Sequence, residues 1–220
     1  MADNNDSNLL TIKEALNDQY NIVTVLADII VNRGKGKIGR VERISKLMKI
    51  LVCAMKEHKT YINDLKDLDI DLLCSSARLY DIGKIFIPDS ILNKPDRLTS
   101  NEFEIMKTHS IKGENIISEI AFQTKANVEF FNHAKLLAGY HHERWDGNGY
   151  PRKLDRLNIP IHGRIMTIID VYDALISERP YKQPFTPVEA GKIIVDSAGE
   201  MFDPLITDVF FEIKDQIYNV

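Results

Sequence analysis

A chain of 220 residues with 44% hydrophobic and 27% charged side chains has the make-up of an ordinary globular protein, long enough for a well-buried core. Its formal net charge of −4 argues against a general binder of nucleic-acid polymers, although a local basic patch stays compatible with it. The polar, acidic start from Met1 to Asn8 lacks an apolar signal-peptide core and no stretch has the length and apolarity of a membrane span, so the expected location is the cytoplasm, away from any membrane.

Leu16, Tyr20, Val23 and Ile30 fall at helical spacing and predict a helix from about Leu10 to Val31. Residues 1–32 are therefore an expected N-terminal helical extension, ahead of a main domain over 33–220. The domain opens on a basic, glycine-rich break, Arg33-Gly34-Lys35-Gly36-Lys37-Ile38-Gly39-Arg40. It satisfies G-x-G-x-x-G, but it follows a helix and has no βαβ setting, so it is very weak as a dinucleotide fingerprint. Val41, Ile44, Leu47, Leu51 and Ala54 share one face of a second helix. Asp67 to Leu79 predict a third, ending at Tyr80-Asp81-Ile82-Gly83-Lys84, where Gly83 suits a helix end or a close backbone approach. Cys53 and Cys74 sit in apolar helical stretches without C-x-x-C spacing, as reduced thiols would.

Pro88 interrupts Ile85 to Leu92, so that stretch is a connector and not a strand. Thr99-Ser100-Asn101-Glu102 has capping-box spacing and starts a helix through Phe103, Ile105, Met106 and His109, with further helical pattern from Ile111 to Ile120. An Asn132–His142 helix delivers His141 and His142 into a segment whose Asp146-Gly147, Asn148-Gly149 and Pro151 mark tight turns. Ile161 to Leu175 is helical and contains Asp170. Thr186-Pro187-Val188-Glu189 is a second capping box with proline at the first helical position, and Asp203-Pro204 repeats the cap before a last helix, Leu205 to Tyr218. No sustained period-2 alternation occurs; the class is all-α.

Asp81, His109, His141, His142 and Asp170 share one setting, a His or Asp at the end of, or within, an amphipathic helix beside a Gly or Pro turn. Imidazole and carboxylate together are the ligand set of divalent transition metals such as Mn, Fe, Zn or Ni. Two such ions close together hold both the attacking and the leaving oxygen of a phosphodiester displacement. Each residue alone has an ordinary structural reading; the case rests on the combination.

These motifs resemble the HD-GYP domain, a bacterial branch of the HD superfamily of all-helical, metal-dependent phosphohydrolases. The matching stretches are Asp81-Ile82-Gly83-Lys84, Ile87-Pro88-Asp89-Ser90-Ile91-Leu92, Phe103-Glu104-Ile105-Met106-Lys107-Thr108-His109, the block from His141 to Pro151, and Asp170-Val171-Tyr172-Asp173-Ala174-Leu175 followed by Arg179-Pro180-Tyr181-Lys182. The resemblance implies an HD-GYP-type helical bundle and a cyclic di-GMP phosphodiesterase with a two- or three-metal centre. It implies that Asp81 bridges metals, that His109, His141 and His142 complete one metal position, and that Asp170 belongs to another. It further implies that Lys84 assists at the attacked phosphate and that Gly149, Tyr150, Arg179 and Lys182 line the nucleotide site.

The chain departs from the family pattern in one cluster. Tyr80 stands where the histidine before Asp81 is expected, Arg40 stands where an upstream helix begins with histidine, and an expected upstream carboxylate falls near Val31. A tyrosine is a poor ligand unless a metal strongly lowers its pKa from about 10. Arg40 carries a permanent charge that repels a neighbouring cation, and it can serve instead as a counter-charge to a ligand phosphate. The expectation is one metal or none, or two if the centre is active. Three readings follow. The chain is a receptor that binds cyclic di-GMP with hydrolysis weak or lost and passes the signal to a partner protein. Alternatively it is an active phosphodiesterase yielding linear di-GMP or GMP, or a relic that binds neither nucleotide nor metal.

Overall fold

The computed structural model describes residues 39–124, 128–178 and 183–220, together with Val25 and Ile29. The rest of the expected extension, 1–32, and the expected nucleotide-lining residues Arg179 and Lys182 lie outside the described residues. The helices, in chain order, are α1 (Arg40–Glu57), α2 (Ile62–Leu65), α3 (Ile70–Ser76), α4 (Asp89–Leu92), α5 (Ser100–Thr124), α6 (Val128–Tyr140), α7 (Ile161–Ile176), α8 (Pro187–Asp196), α9 (Pro204–Glu212) and α10 (Lys214–Tyr218). Tight 3₁₀ turns at Ala77–Leu79, Ile82–Phe86 and Arg156–Asn158 link them. Among the described residues the only extended pairing is an isolated bridge between Ala198 and Phe202, in keeping with the all-α class. None of their helices is long and apolar enough to cross a membrane.

The core sits between α1 and α7. On α1, Ile44, Leu47, Met48, Leu51, Val52 and Met55 recur every three or four residues and are all buried, the stripe of an amphipathic helix. They pack with Ile165, Met166, Ile168 and Ile169 of α7 and with Ile206 and Phe210 of α9 in one cluster. Each such side chain taken from water contributes about 1.5–3 kcal/mol before chain entropy is counted. A second, smaller cluster joins Leu79 and Ile117 to Phe130, Phe131, Ala134 and Ala138, where α5 lies against α6. Arg164 of α7 pairs at 2.8 Å with Asp203, which also accepts the Leu205 N–H at 3.0 Å, so one buried carboxylate caps α9 and ties it to α7.

Both expected capping boxes form. Glu102 and Glu189 donate their N–H groups to Thr99 Oγ1 (3.3 Å) and Thr186 Oγ1 (3.2 Å), and the threonine N–H groups are answered by the glutamate carboxylates. Element ends differ from the sequence reading for identifiable reasons. The third helix starts at Ile70, not Asp67, because Asp69 caps it by accepting the Leu72 N–H at 3.0 Å. The expected Asn132–His142 helix, α6, stops at Tyr140, so His141 and His142 leave the helix and do not end it. The last expected helix is interrupted at Ile213 into α9 and α10.

Candidate metal centre

Two glycines bring Asp81 to the histidines. A Cβ on Gly83 would overlap the His109 carbonyl oxygen and lie 2.6 Å from the Gly113 nitrogen, so the Ile82–Phe86 turn can rest on α5 only without a side chain there. The reverse contact, Gly113 against Gly83, is also tight. Gly83 thus has the close-approach role its sequence setting suggests, and the contact holds Asp81 and Lys84 beside His109.

Three imidazole nitrogens meet at this point. His109 Nε2 lies 3.3 Å from His141 Nε2 and 3.2 Å from His142 Nε2, and each residue's ligand atom falls within 4.8 Å of the others. His109 Nδ1 faces the Met106 carbonyl at 2.7 Å, and His141 Nδ1 faces the Leu137 and Ala138 carbonyls at 3.0 Å each. A carbonyl only accepts, so each of these Nδ1 atoms carries the proton and the Nε2 lone pairs point at one another. Asp81 Oδ1 lies 3.5 Å from His109 Nε2 and 3.9 Å from His141 Nε2. That oxygen is buried and has no hydrogen-bond partner among the described residues. Acceptors converging on acceptors are unfavourable unless a cation lies between them, and three nitrogens with one carboxylate oxygen suit a divalent transition metal.

Protonation states agree with that use. Burial holds His109 down to about 4 and His141 below its ordinary value; burial, with the neighbouring His141 and His109, holds His142 well below it. All three are neutral near pH 7. Burial by itself would raise the Asp81 carboxyl, but Lys84, with Arg40 behind it, holds it well below the usual range. Metal binding requires neutral imidazole and ionised carboxylate.

Supporting contacts fix the histidine pair. Thr167 Oγ1 lies 3.0 Å from the His141 carbonyl and 2.8 Å from that of Gly163, fastening the His141 backbone to α7. The His142 ring stacks on Tyr150 with centroids 4.6 Å apart, and the Tyr150 N–H donates to the His142 carbonyl at 3.0 Å. Buried Glu143 accepts N–H groups from Arg152 (2.7 Å) and Leu154 (3.0 Å), closing the loop that follows. Gly149 is needed where it is, since a Cβ would come within 2.6 Å of Glu143 Cα and the His142 oxygen. Glu143 and Thr167 escaped the sequence reading, as did Asp173; only Asp173 carried a signal, standing one helical turn after Asp170.

The other expected half of the centre is built differently. Tyr80 donates its O–H to Asp170 Oδ1 at 2.8 Å. Burial, with Asp170 and Asp81 adding to it and Arg40 opposing, pushes the Tyr80 hydroxyl well above its ordinary pKa, so it is a neutral donor and not a phenolate ligand. Arg40, at the first position of α1, donates from Nη2 to Asp170 Oδ1 at 3.0 Å and from Nε to Asp173 Oδ2 at 2.8 Å. The expected role of Arg40 toward a ligand phosphate meets this commitment to carboxylates, and Arg40 lines neither hollow described below.

A cleft of about 840 Å³ opens from the histidines, lined among others by His141, His142, Phe103, Lys107, Arg144, Gly149 and Tyr150. Phe103 meets Tyr150 edge-on at 6.3 Å, and Lys107 Nζ lies 5.6 and 5.8 Å from those two ring centroids. A smaller hollow of about 330 Å³ is lined by His142, Asp170, Ser177 and Gln183 among others.

Comparison with known proteins identifies the class. A family profile described as HD domain matches residues 24–206, and the chain belongs to that family, in its HD-GYP branch. It is 37% identical over 198 residues to a "Cyclic di-GMP phosphodiesterase" of Vibrio cholerae, covering 90% of this chain and 39% of that protein. It is 43% identical over 145 residues to a "Cyclic di-GMP phosphodiesterase" of Thermotoga maritima, covering 66% of this chain and 38% of the relative. A "3'3'-cGAMP-specific phosphodiesterase 2" of V. cholerae is 33% identical over 199 residues, covering 90% and 35%. The chain thus spans about two fifths of the length of the first two of these relatives. The crystal structure of a cyclic GMP-AMP-specific phosphodiesterase of V. cholerae shares the fold, with a TM-score of 0.53 at 16% identity over 86% of this chain and 49% of that one.

Proposed function

We propose that this chain is a signalling domain that binds cyclic di-GMP in the cleft beside the histidine cluster, with hydrolysis weak or lost. The observation that carries the reading is the contrast around Asp81: its Oδ1 faces the Nε2 lone pairs of His109 and His141, while its Oδ2 and the neighbouring Asp170 and Asp173 are already held by Lys84, Arg40, Tyr80 and Arg43. His109, His141, His142 and Asp81 would hold one divalent transition metal, which would polarise a phosphate oxygen. Lys84 Nζ, 2.5 Å from Asp81 Oδ2, is the cation best set to meet a phosphate beside it. The exposed Phe103 edge and the Tyr150 ring offer faces on which a guanine can stack, each such contact contributing about 1–3 kcal/mol. With a single metal, no second ion supports the leaving oxygen, which is why slow turnover is expected. A cytoplasmic setting and a protein partner that senses the bound state belong to the same proposal.

A second reading, an active phosphodiesterase, is favoured by the complete histidine half with its Lys84 and by the names of the relatives. Calorimetric titration of the Mn²⁺-loaded chain with cyclic di-GMP and with 3'3'-cGAMP, with chromatography of the same samples, separates the two. Saturable binding of cyclic di-GMP without linear di-GMP or GMP is expected, and His141→Ala is expected to lose the metal. Multiple turnovers would establish the second reading; metal retained by His141→Ala would remove the site assignment.

A further inference from the structure

Three carboxylates converge on one guanidinium. Arg40 reaches Asp173 Oδ2 at 2.8 Å, Asp170 Oδ1 at 3.0 Å and, less closely, Asp81 Oδ2 at 3.7 Å. Asp173 has no exposure at all and is clamped from its other oxygen by Arg43, at 2.6 Å from Nε and 2.5 Å from Nη2. Arg43 is in turn held by Ser177 Oγ at 2.9 Å. The group balances: Asp81, Asp170 and Asp173 supply three negative charges, and Arg40, Arg43 and Lys84 supply three positive ones. Buried carboxylates this close to one another demand a cation, and here a cation is part of the chain.

A guanidinium does not lose its proton under any ordinary condition, and its planar fork fits carboxylates in pairs. A metal ion entering this cage would have to displace Arg40 from two hydrogen bonds and then sit beside its charge. The histidine side offers the opposite case, because Asp81 Oδ1 is buried there without a partner. We infer that Arg40 is a built-in cation that closes a latent second metal site formed by Asp81, Asp170 and Asp173, so that the chain takes one metal and gains a second when Arg40 is replaced by a neutral residue. This rests on the reading of the histidine cluster as a metal site. Asp173 and Arg43 are the positioning residues: they hold the guanidinium in the cage and keep it out of the cleft.

The test is metal stoichiometry by elemental analysis after loading with Mn²⁺ and desalting, on the wild-type chain, Arg40→Ala, Arg40→His and Arg40→Lys, each checked for its helical circular dichroism spectrum. One manganese per chain is expected in the wild type and in Arg40→Lys, and two in Arg40→Ala or Arg40→His. Arg40→His keeps the test open if the alanine variant does not fold, since imidazole fills part of the space and is itself a ligand. Two ions in the wild type, or one in a folded neutral variant, would overturn the inference. No ion in the wild type would defeat the histidine reading as well, an outcome distinct from one ion everywhere.

Discussion

Asp81 divides the site into two regions of opposite chemistry. On its Oδ1 side, the Nε2 lone pairs of His109 and His141 face each other at 3.3 Å, with His142 Nε2 3.2 Å from His109 Nε2. On its Oδ2 side, Asp170 and Asp173 are bound by a hydroxyl and two guanidiniums at 2.5–3.0 Å. Both regions contain the residue types that ligate metals. What separates them is whether the lone pairs are already answered, and that decides which side is left open to an ion from outside.

The comparison breaks most sharply at Asp173. Asp173→Ala leaves Arg40 and Arg43 without their shared partner, and loss of one member of a buried ion pair costs about 3–5 kcal/mol. The arginine side chains keep 18% and 23% exposure, so the lower end, about 3 kcal/mol, is expected from urea unfolding. A loss under about 1 kcal/mol would mean that the arginines are adequately hydrated and the cage is not a structural unit.

Tyr80→Phe sharpens it at smaller cost. The variant keeps the ring that meets His141 edge-on at 5.1 Å and removes only the donor to Asp170. A hydrogen bond to a charged acceptor contributes about 1.5–3 kcal/mol, and with Arg40 still bound to Asp170 a loss near 1.5 kcal/mol is expected, with manganese content unchanged. Loss of metal in this variant would show that the two regions are not separable.

The smallest expected effect is a control for acid. His133 and His162 pack away from the site, with His133 Nδ1 2.8 Å from His162 Nε2. Burial, then His133, holds His162 down to about 4. Between that value and the unfolded one near 6.5, the unfolded chain binds a proton that the folded chain does not, so stability falls as pH drops through this window. Between about pH 7 and about pH 5.5 the wild type should lose about 1 kcal/mol more than His162→Gln does, read as the shift in urea midpoint. Equal losses would assign the acid sensitivity elsewhere, including the site itself.

Much of this molecule was legible before any fold was in view, where the physics is local. The apolar stripe of α1, the Thr99 and Thr186 capping boxes and the Asp203 cap depend on residues within a turn or two of each other, so their spacing reveals them. The candidate ligands His109, His141, His142 and Asp81 were legible as types set beside glycine turns, and Tyr80 and Arg40 stood out as departures from the HD-GYP pattern the chain resembles. Glu143 and Thr167 gave no comparable sign, because their value lies in backbone groups brought to them by folding.

The chain order of residues therefore determined the helical class, most helix starts and the inventory of groups able to hold a metal, since periodicity and capping act over a few residues. Only the tertiary structure decided which of those groups remain available. Arg40 meets Asp170 across 130 residues and Tyr80 meets it across 90, contacts that exist because α1 buries its apolar face against α7. Packing between distant helices chose a guanidinium for one side of Asp81 and left the other side's lone pairs facing each other.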